Sequence, residues 1–432
     1  MFATASIENS TWSNSKKIGF RFFFSYFSLF MLFENNGAFP FFEYLSGLFN
    51  TFLYKLIPWV GKAAFGISET IRVGPNVSGD TTYDYLLIFT IFFIAVLTTV
   101  IWSVLDKKRT NYLKMYYWLT LAIRLYVGLM LINYGMIKVI QLQFSSPSMS
   151  RLTQPFGDAS PMGLAWTFLG FSKGYNMFMG IAEIAAVLLL FRRTMTFGLI
   201  ITLMTTANVM AVNYFYDVPV KILSTHLFLL SAFLLARDFN KLCQFFFFRK
   251  PVSLSSISKP KFKKGFNRFL LLAKLFLLTY ALGYGAYSTL ETKEKYRGES
   301  AKSILEGFYE INELTINNTK VDLTFKSDIS GWEYLMIEGK RFAQIRFGNN
   351  KKNWFRIKID STKKELELKN SRDTLNVYTF KYNDDLKDNF FLNGIVEKDS
   401  ISIKLKRTKN YQEKFLLTNR GFHWINEVPY NR

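Results

Sequence analysis

The sequence predicts an α-helical polytopic membrane protein of about seven transmembrane helices, followed by an all-β antiparallel sandwich or barrel. Three observations carry this prediction. Half of the 432 residues are hydrophobic and 18% are aromatic. Nearly every apolar run long enough to cross a hydrocarbon core of about 30 Å lies before Tyr296. Beyond Arg297 the texture changes to short alternating runs separated by Asn, Asp, Gly, Ser and Lys. The composition excludes a disordered chain, which is poor in aromatics. One Cys and two His exclude a disulfide scaffold and a four-ligand zinc site.

The predicted spans are residues 18–33, 84–105, 115–140, 175–191, 194–214, 218–236 and 267–290. The fourth is short, and the fifth follows it at once through the compact charged turn Arg192 and Arg193. The first 17 residues lack the apolar stretch and cleavage site of a signal peptide, so the first span reads as a retained anchor. Residues 39–66, aromatic and interrupted by Pro40 and Pro58, read as a helix lying in the outer interface.

Lys and Arg set the orientation. Residues 1–296 hold 29 Lys+Arg against 13 Asp+Glu, and residues 297–432 hold 25 against 19. With the N-terminus in the cytoplasm, the cytoplasmic segments carry 18 cations, densest in and beside the basic loop 241–264. The opposite loops carry six: Lys55, Lys62, Arg72, Arg151, Lys173 and Lys221. The net charge of +22 therefore reads as topology and attraction to anionic headgroups, not as a nucleic-acid partner. The expected location is the cytoplasmic membrane, with the C-terminal domain extracytoplasmic. Cys243 falls on the cytoplasmic side with no second cysteine for redox chemistry.

In residues 297–432 the expected strands are 320–325, 332–337, 342–347, 354–359, 365–368, 375–382, 390–396, 401–405 and 415–425, with a short helix in 301–316 leading in. About 135 residues suffice to bury a core. His423 is the domain's one histidine and reads as packing beside Trp424, since no Ser-His-Asp or metal-ligand spacing accompanies it.

Ionisable groups inside a span cost several kcal/mol, which makes each a candidate for function. Arg124, Gly128, Leu131, Gly135 and Lys138 share one stripe of the third span, and Asn133 lies in the same span. Asn176, Gly180, Glu183 and Ala186 share one face of the fourth. Small residues allow close helix approach, and a buried carboxylate needs a cation, so Arg124 is expected to pair with Glu183. The pair would either hold two helices in register or form a proton or quinone site. In NYFYDVPVK, Asp217 before Pro219 reads as an N-cap, with Lys221 four residues on to pair with it. His226 lies on a different helix face from both, so its partners must come from another span. The loop between the third and fourth spans, with Asp158 and four turn-forming residues Pro147, Pro155, Gly157 and Pro161, would cap a cavity between helices. Residues 161–171 would form a short interfacial helix with Trp166 at headgroup depth. Thr202, Thr205, Thr206, Asn208 and Asn213 of the fifth span would line a polar pocket opening outward.

The stretch from Arg124 to Arg237, with IRLYVGLMLINYGMIKV and GIAEIAAVLLLFRRTMTFGLIITLMTTANVMA, resembles the DoxX-like membrane proteins. The resemblance rests on Arg124, on Gly135 with Lys138, and on Gly180 with Glu183, and covers about a quarter of the chain. It implies a four-helix bundle over 115–240, and the chain departs from that minimal unit by two spans with an interfacial segment in 1–114, the loop 241–264, a seventh span at 265–292 and the β domain from 297. For some members it implies quinone-linked redox chemistry. The layout also resembles carboxylase-like intramembrane enzymes with an extracytoplasmic β-rich domain, without a match to their catalytic motifs. Two functions thus stand open. One is a quinone- or lipophile-binding component of a membrane redox complex. The other is a non-enzymatic anchor whose β domain binds an envelope partner. No haem, flavin or metal is expected, because His226 is the single histidine at membrane depth and no nucleotide fingerprint is present.

Overall fold

The computed structural model describes residues 11–74, 79–254, 262–299, 303–321, 332–347, 352–370, 377–384, 389–396, 398–408 and 411–431. They fall into two compact units, Met1–Ser146 with Ser160–Leu290, and Pro147–Ala159 with Glu291–Arg432.

The first unit is helical. Its elements are α1 (Asn14–Phe33), α2 (Phe42–Phe65), α3 (Thr82–Leu105) and α4 (Leu113–Val139). A four-residue turn, α5 (Met149–Leu152), belongs to the second unit. Then come α6 (Pro161–Phe171), α7 (Lys173–Ile184), α8 (Met195–Phe215), α9 (Lys221–Ala236), α10 (Phe239–Phe246), α11 (Lys264–Thr279) and α12 (Gly285–Glu299), the last two joined through one π-helical turn. Side-chain caps fix several starts, because the first turn of a helix leaves backbone N–H groups unpaired. Ser13 caps α1, Ser160 caps α6 with Pro161 in the first turn, and Ser172 caps α7. Thr81 and Asp84 cap α3 reciprocally.

Five of these segments are long and apolar enough to cross a membrane: 82–105, 113–139, 173–190, 195–215 and 264–295. A sixth results if α9 and α10, bent by 73° at their junction, count as one. Among the described residues five or six helices thus meet this length and composition, beside about seven expected. The shortfall is α1, whose 20 residues include Lys16, Lys17 and Arg21. Arg21 is buried and donates to the Tyr112 hydroxyl, Ser103 Oγ and the Asp106 carbonyl, which ties α1 to the ends of α3 and α4. The segment expected in the interface is the helix α2, which contains Pro58. Helix α4 lies at the centre, with 67% of its apolar window buried against 28% for α3 and α8. Phe27 and Phe30 of α1, Ile123, Tyr126 and Met130 of α4, Leu199 of α8 and Leu230 of α9 form one core with it.

The second unit is a β-barrel. Strands β1 (Gly307–Ile316), β2 (Thr319–Val321), β3 (Trp332–Glu338), β4 (Phe342–Phe347), β5 (Lys352–Asp360), β6 (Glu365–Asn370), β7 (Val377–Asp384), β8 (Asn389–Val396) and β9 (Asp399–Thr408) pair antiparallel in sequence, with β2 added to the end of β1. Strand β1 also pairs with β9 from Phe308↔Thr408 to Ile316↔Ile401, which closes the sheet on itself. Inward residues such as Leu335, Ile345, Leu366, Leu368, Leu392, Ile403 and Leu405 are fully buried and fill the interior.

Two expectations for this domain are corrected. Residues 307–316 form β1, not a helix: a bulge between Ile311 and Glu313 shifts the side-chain parity and hides the period of two. Residues 415–425 form no strand but the turn α13 (Leu416–Asn419) and largely exposed chain, because β9 already has β8 on one side and β1 on the other and takes no further strand. Of the expected strands 320–325 and 375–382, residues 322–325 and 375–376 lie outside the described residues.

A third correction concerns the loop before α6. Residues 147–159, expected to cap a cavity between helices, pack on the outer wall of the barrel. Met149 is buried with Phe308, Tyr334 and Met336. Its N–H donates to Glu338 Oε1, Gln344 Nε2 donates to Ser150 Oγ, and Arg346 Nη1 donates to the Thr153 carbonyl. This strap explains why β3 buries residues on both of its faces.

Candidate functional site

Helices α4 and α7 cross antiparallel at Gly135 and Gly180. A Cβ on either glycine would lie 2.6 Å from the other's carbonyl oxygen, so the crossing admits no side chain. Every residue of the two expected stripes is buried: Arg124, Gly128, Leu131, Gly135 and Lys138 on α4, Asn176, Gly180, Glu183 and Ala186 on α7 and its 3-10 extension.

The expected Arg124–Glu183 pair does not form. Glu183 pairs with Lys138, Nζ to Oε2 at 2.8 Å, with both side chains buried. Side chains in a helix lean toward their own N-terminus. In an antiparallel pair Lys138 and Glu183 therefore lean toward each other and meet at the level of the glycine crossing. Arg124, eleven residues before Gly135 and thus about 16 Å away along the axis, leans further off. Its Nε instead donates to the Leu189 carbonyl at 2.7 Å, where α7 has tightened into the 3-10 segment Ala185–Leu190 and leaves terminal carbonyls free.

Aromatic faces line the ion pair. Lys138 Nζ lies 5.6 Å from the Tyr134 ring centroid and 5.8 Å from that of Phe144, and Phe144 packs edge-on against Trp166 of α6. Asn176 Nδ2 donates to the Phe144 carbonyl at 3.0 Å, while its buried Oδ1 has no protein partner among the described residues. Lys138, Glu183 and Asn176 are thus brought together. Asn133 is not among them: its Nδ2 reaches the Gly37 carbonyl at 3.5 Å.

His226 belongs to a separate junction of α1 and α9. Its ring stacks on Phe30 at 4.0 Å between centroids. Nδ1 lies 2.7 Å from the Ile222 carbonyl and Nε2 2.8 Å from the Tyr26 hydroxyl. A carbonyl only accepts, so Nδ1 carries a proton, and in a neutral ring Nε2 would accept from the phenol.

The remaining candidates disperse. Asp217 is no N-cap: it is 82% exposed with a left-handed backbone, and the N–H groups of Lys221 and Ile222 donate instead to Asp80, carried by the loop before α3. The Asp217–Lys221 pair does form, at 2.9 Å. Asp158 lies exposed in the strap, in the barrel unit. Of the residues expected to line a polar pocket of α8, Thr202 is buried with no hydrogen-bond partner for its Oγ1 among the described residues, and the others are bonded locally or exposed. Thr205 and Thr206 donate to carbonyls of their own helix, Asn213 donates to the Val220 carbonyl and Asn208 is exposed.

Sequence reasoning missed a second buried charge cluster. Asp238, fully buried between α9 and α10, accepts from Thr196 Oγ1 at 2.8 Å and from Arg237 Nη2 at 2.6 Å. The adjacent opposite charges Arg237-Asp238 carried the signal, but they lie at the edge of a span where charge is ordinary. Lys274, inside α11, places its Nζ 4.0 Å from the Phe191 ring centroid, a cation–π contact. Among the described residues no group of His, Cys, Asp and Glu could hold a metal ion.

Fold and site together define a class: a helical protein with membrane-crossing helices, an ion-paired glycine crossing at its centre, and a closed β-barrel. Over 121 residues, 27% of its length, the chain is 37% identical to the uncharacterized protein YwoB of Bacillus subtilis (strain 168), 75% of which is covered. The chain belongs to the same family as that protein. No family profile matches the chain, and no solved structure does.

Proposed function

We propose that the chain is a multi-pass protein of the cytoplasmic membrane whose helical unit is an anchor and whose extracytoplasmic barrel binds an envelope partner. The observation that carries this reading is the Lys138–Glu183 pair. The carboxylate that a proton or quinone site would use is neutralised by the chain's own ammonium at 2.8 Å, beside a helix crossing too close for a side chain. Arg124 and His226, the other buried candidates of the helical unit, bond to partners within that unit. The asymmetry of cations between alternate loops supports the orientation. The resemblance to DoxX-like proteins belongs to the same proposal, supported by the meeting of Gly135 and Lys138 with Gly180 and Glu183 on one interface.

A single observation favours the lipophile-binding reading. Asn176 Oδ1 is a buried acceptor without a protein partner, next to the ion pair. Such an atom suits a hydroxyl donor, so the matching ligand would be a quinol rather than a quinone.

Mass spectrometry of protein purified gently in detergent separates the two. The anchor reading expects an envelope component to co-purify and no stoichiometric lipophile. A quinol or quinone recovered at one per chain, and lost in Asn176→Leu, would overturn it.

A further inference from the structure

The outer wall of the barrel carries an arrangement of charge that packing does not explain. Along β5 the outward residues Lys352, Trp354 and Arg356 alternate with the buried Phe355 and Ile357. The register sets Arg346 of β4 directly opposite Lys352, and Lys369 of β6 directly opposite Arg356. Like charges facing each other across a ladder destabilise a sheet, and here two such pairs occur on neighbouring ladders. The next position shows the ordinary solution: Lys358 faces Glu367, with an ion pair at 4.0 Å.

Between the two cation pairs lies Trp354, 41% exposed, with Phe342 of β4, 47% exposed, beside Arg356. Lys352 and Arg356 are four residues apart, or roughly 13 Å along the strand. Arg346 is held in place, its Nη1 donating to the Tyr334 hydroxyl at 2.8 Å and to the Thr153 carbonyl of the strap, with Glu333 at 3.5 Å. Burial and the nearby Arg346 and Arg151 push the Lys352 ammonium below its usual range, against the opposing pull of Asp158. Among the described residues the cations Arg346, Lys352 and Arg151 outnumber the anions that accompany them, Glu333 and Asp158.

We propose that this wall is a binding site for a linear anionic polymer of the glycan or polyol-phosphate kind, whose phosphate or carboxylate groups pair with Lys352 on one side and with Arg356 and Lys369 on the other and whose ring or polyol face covers Trp354, while Arg346, its side chain 13% exposed, backs Lys352 from under the strap. Arginine presents a donor fork that matches both anions. An exposed Trp set between two cation pairs suits anions at intervals along a chain, more than a single small anion. Single-stranded nucleic acid calls for successive aromatic platforms, whereas along β5 both neighbours of Trp354 on its face are cations. The proposal deepens the reading of the barrel as the working part of the protein. It is tested apart from topology, so failure of one leaves the other standing.

The test is binding of the full-length protein in detergent to poly(glycerol phosphate) and to polygalacturonate, beside oligo(dT) and phosphatidylglycerol vesicles. The proposal expects binding to at least one of the two polymers that weakens steeply with salt. It expects a tenfold or greater loss of affinity in Lys352→Gln/Arg356→Gln, and a separate loss in Trp354→Ala. The double variant should keep or raise the thermal midpoint, because it relieves repulsion. Absence of polymer binding, unchanged affinity in the double variant, or binding confined to oligo(dT) or to vesicles would each overturn the proposal.

Discussion

Glu183 had two candidate cations on one stripe of α4, and the sequence points to Arg124 where the structure pairs it with Lys138. The stripe was legible from the spacing of Arg124, Gly128, Gly135 and Lys138, and all are buried as that spacing requires. The choice of partner depended on where the helices cross, which only Gly135 against Gly180 reveals. Breaking a buried pair strands a charge at a cost of about 3–5 kcal/mol, whereas replacing both members by apolar groups of similar volume is often neutral. Glu183→Met and Lys138→Met should therefore each lower the unfolding free energy in detergent by about that amount, and the double variant should recover most of it. In the barrel, Glu338 gives a pH dependence. Burial raises its pKa above the ordinary 4.5, a nearby Glu306 adds to this, and the Met149 N–H opposes. A carboxyl raised on folding contributes stability that is complete below its unfolded pKa and is lost as pH rises through the folded one. The thermal midpoint of the native chain relative to Glu338→Gln should thus fall as pH is raised from 4.5 towards neutrality. A constant difference would remove Glu338 from the account.

Elements with clean periodicity were read nearly to their ends: β4 matches residues 342–347, and β3, β5 and β8 match within two residues. Strand β1 escaped because its bulge leaves Tyr309, Ile311, Leu314 and Ile316 at uneven spacing, which resembles helical periodicity. The strap escaped for another reason. Its one buried side chain is Met149, and no local pattern says that Met149 rather than Leu152 or Phe156 packs on Phe308, Tyr334 and Met336 far along the chain. Met149→Ala should cost about 2–5 kcal/mol of barrel stability and open residues 147–159 to limited proteolysis. Gly180→Val places a side chain against the Gly135 carbonyl and the Val139 backbone. It should prevent the α4–α7 crossing, seen as loss of a monodisperse species in detergent.

At the scale of the whole molecule, the charge of +22 has separate roles. Most cations before Arg297 lie in segments that the proposed topology assigns to one side of the membrane, a few are buried and hold helices together, and others lie along the barrel wall. The division into helical and β parts was legible from composition alone, whereas the attachment of residues 147–159 to the barrel was not. The central claim is that an anchor in the membrane presents the barrel on the extracytoplasmic side. It is tested most directly by labelling intact cells with a membrane-impermeant maleimide. The chain has one cysteine, Cys243, and the β5–β6 turn offers the exposed Ser361. The account predicts that Cys243 is labelled only after the cells are broken, while Ser361→Cys in a Cys243→Ser background is labelled in intact cells. Labelling of Cys243 in intact cells, with Ser361→Cys protected until lysis, would contradict it.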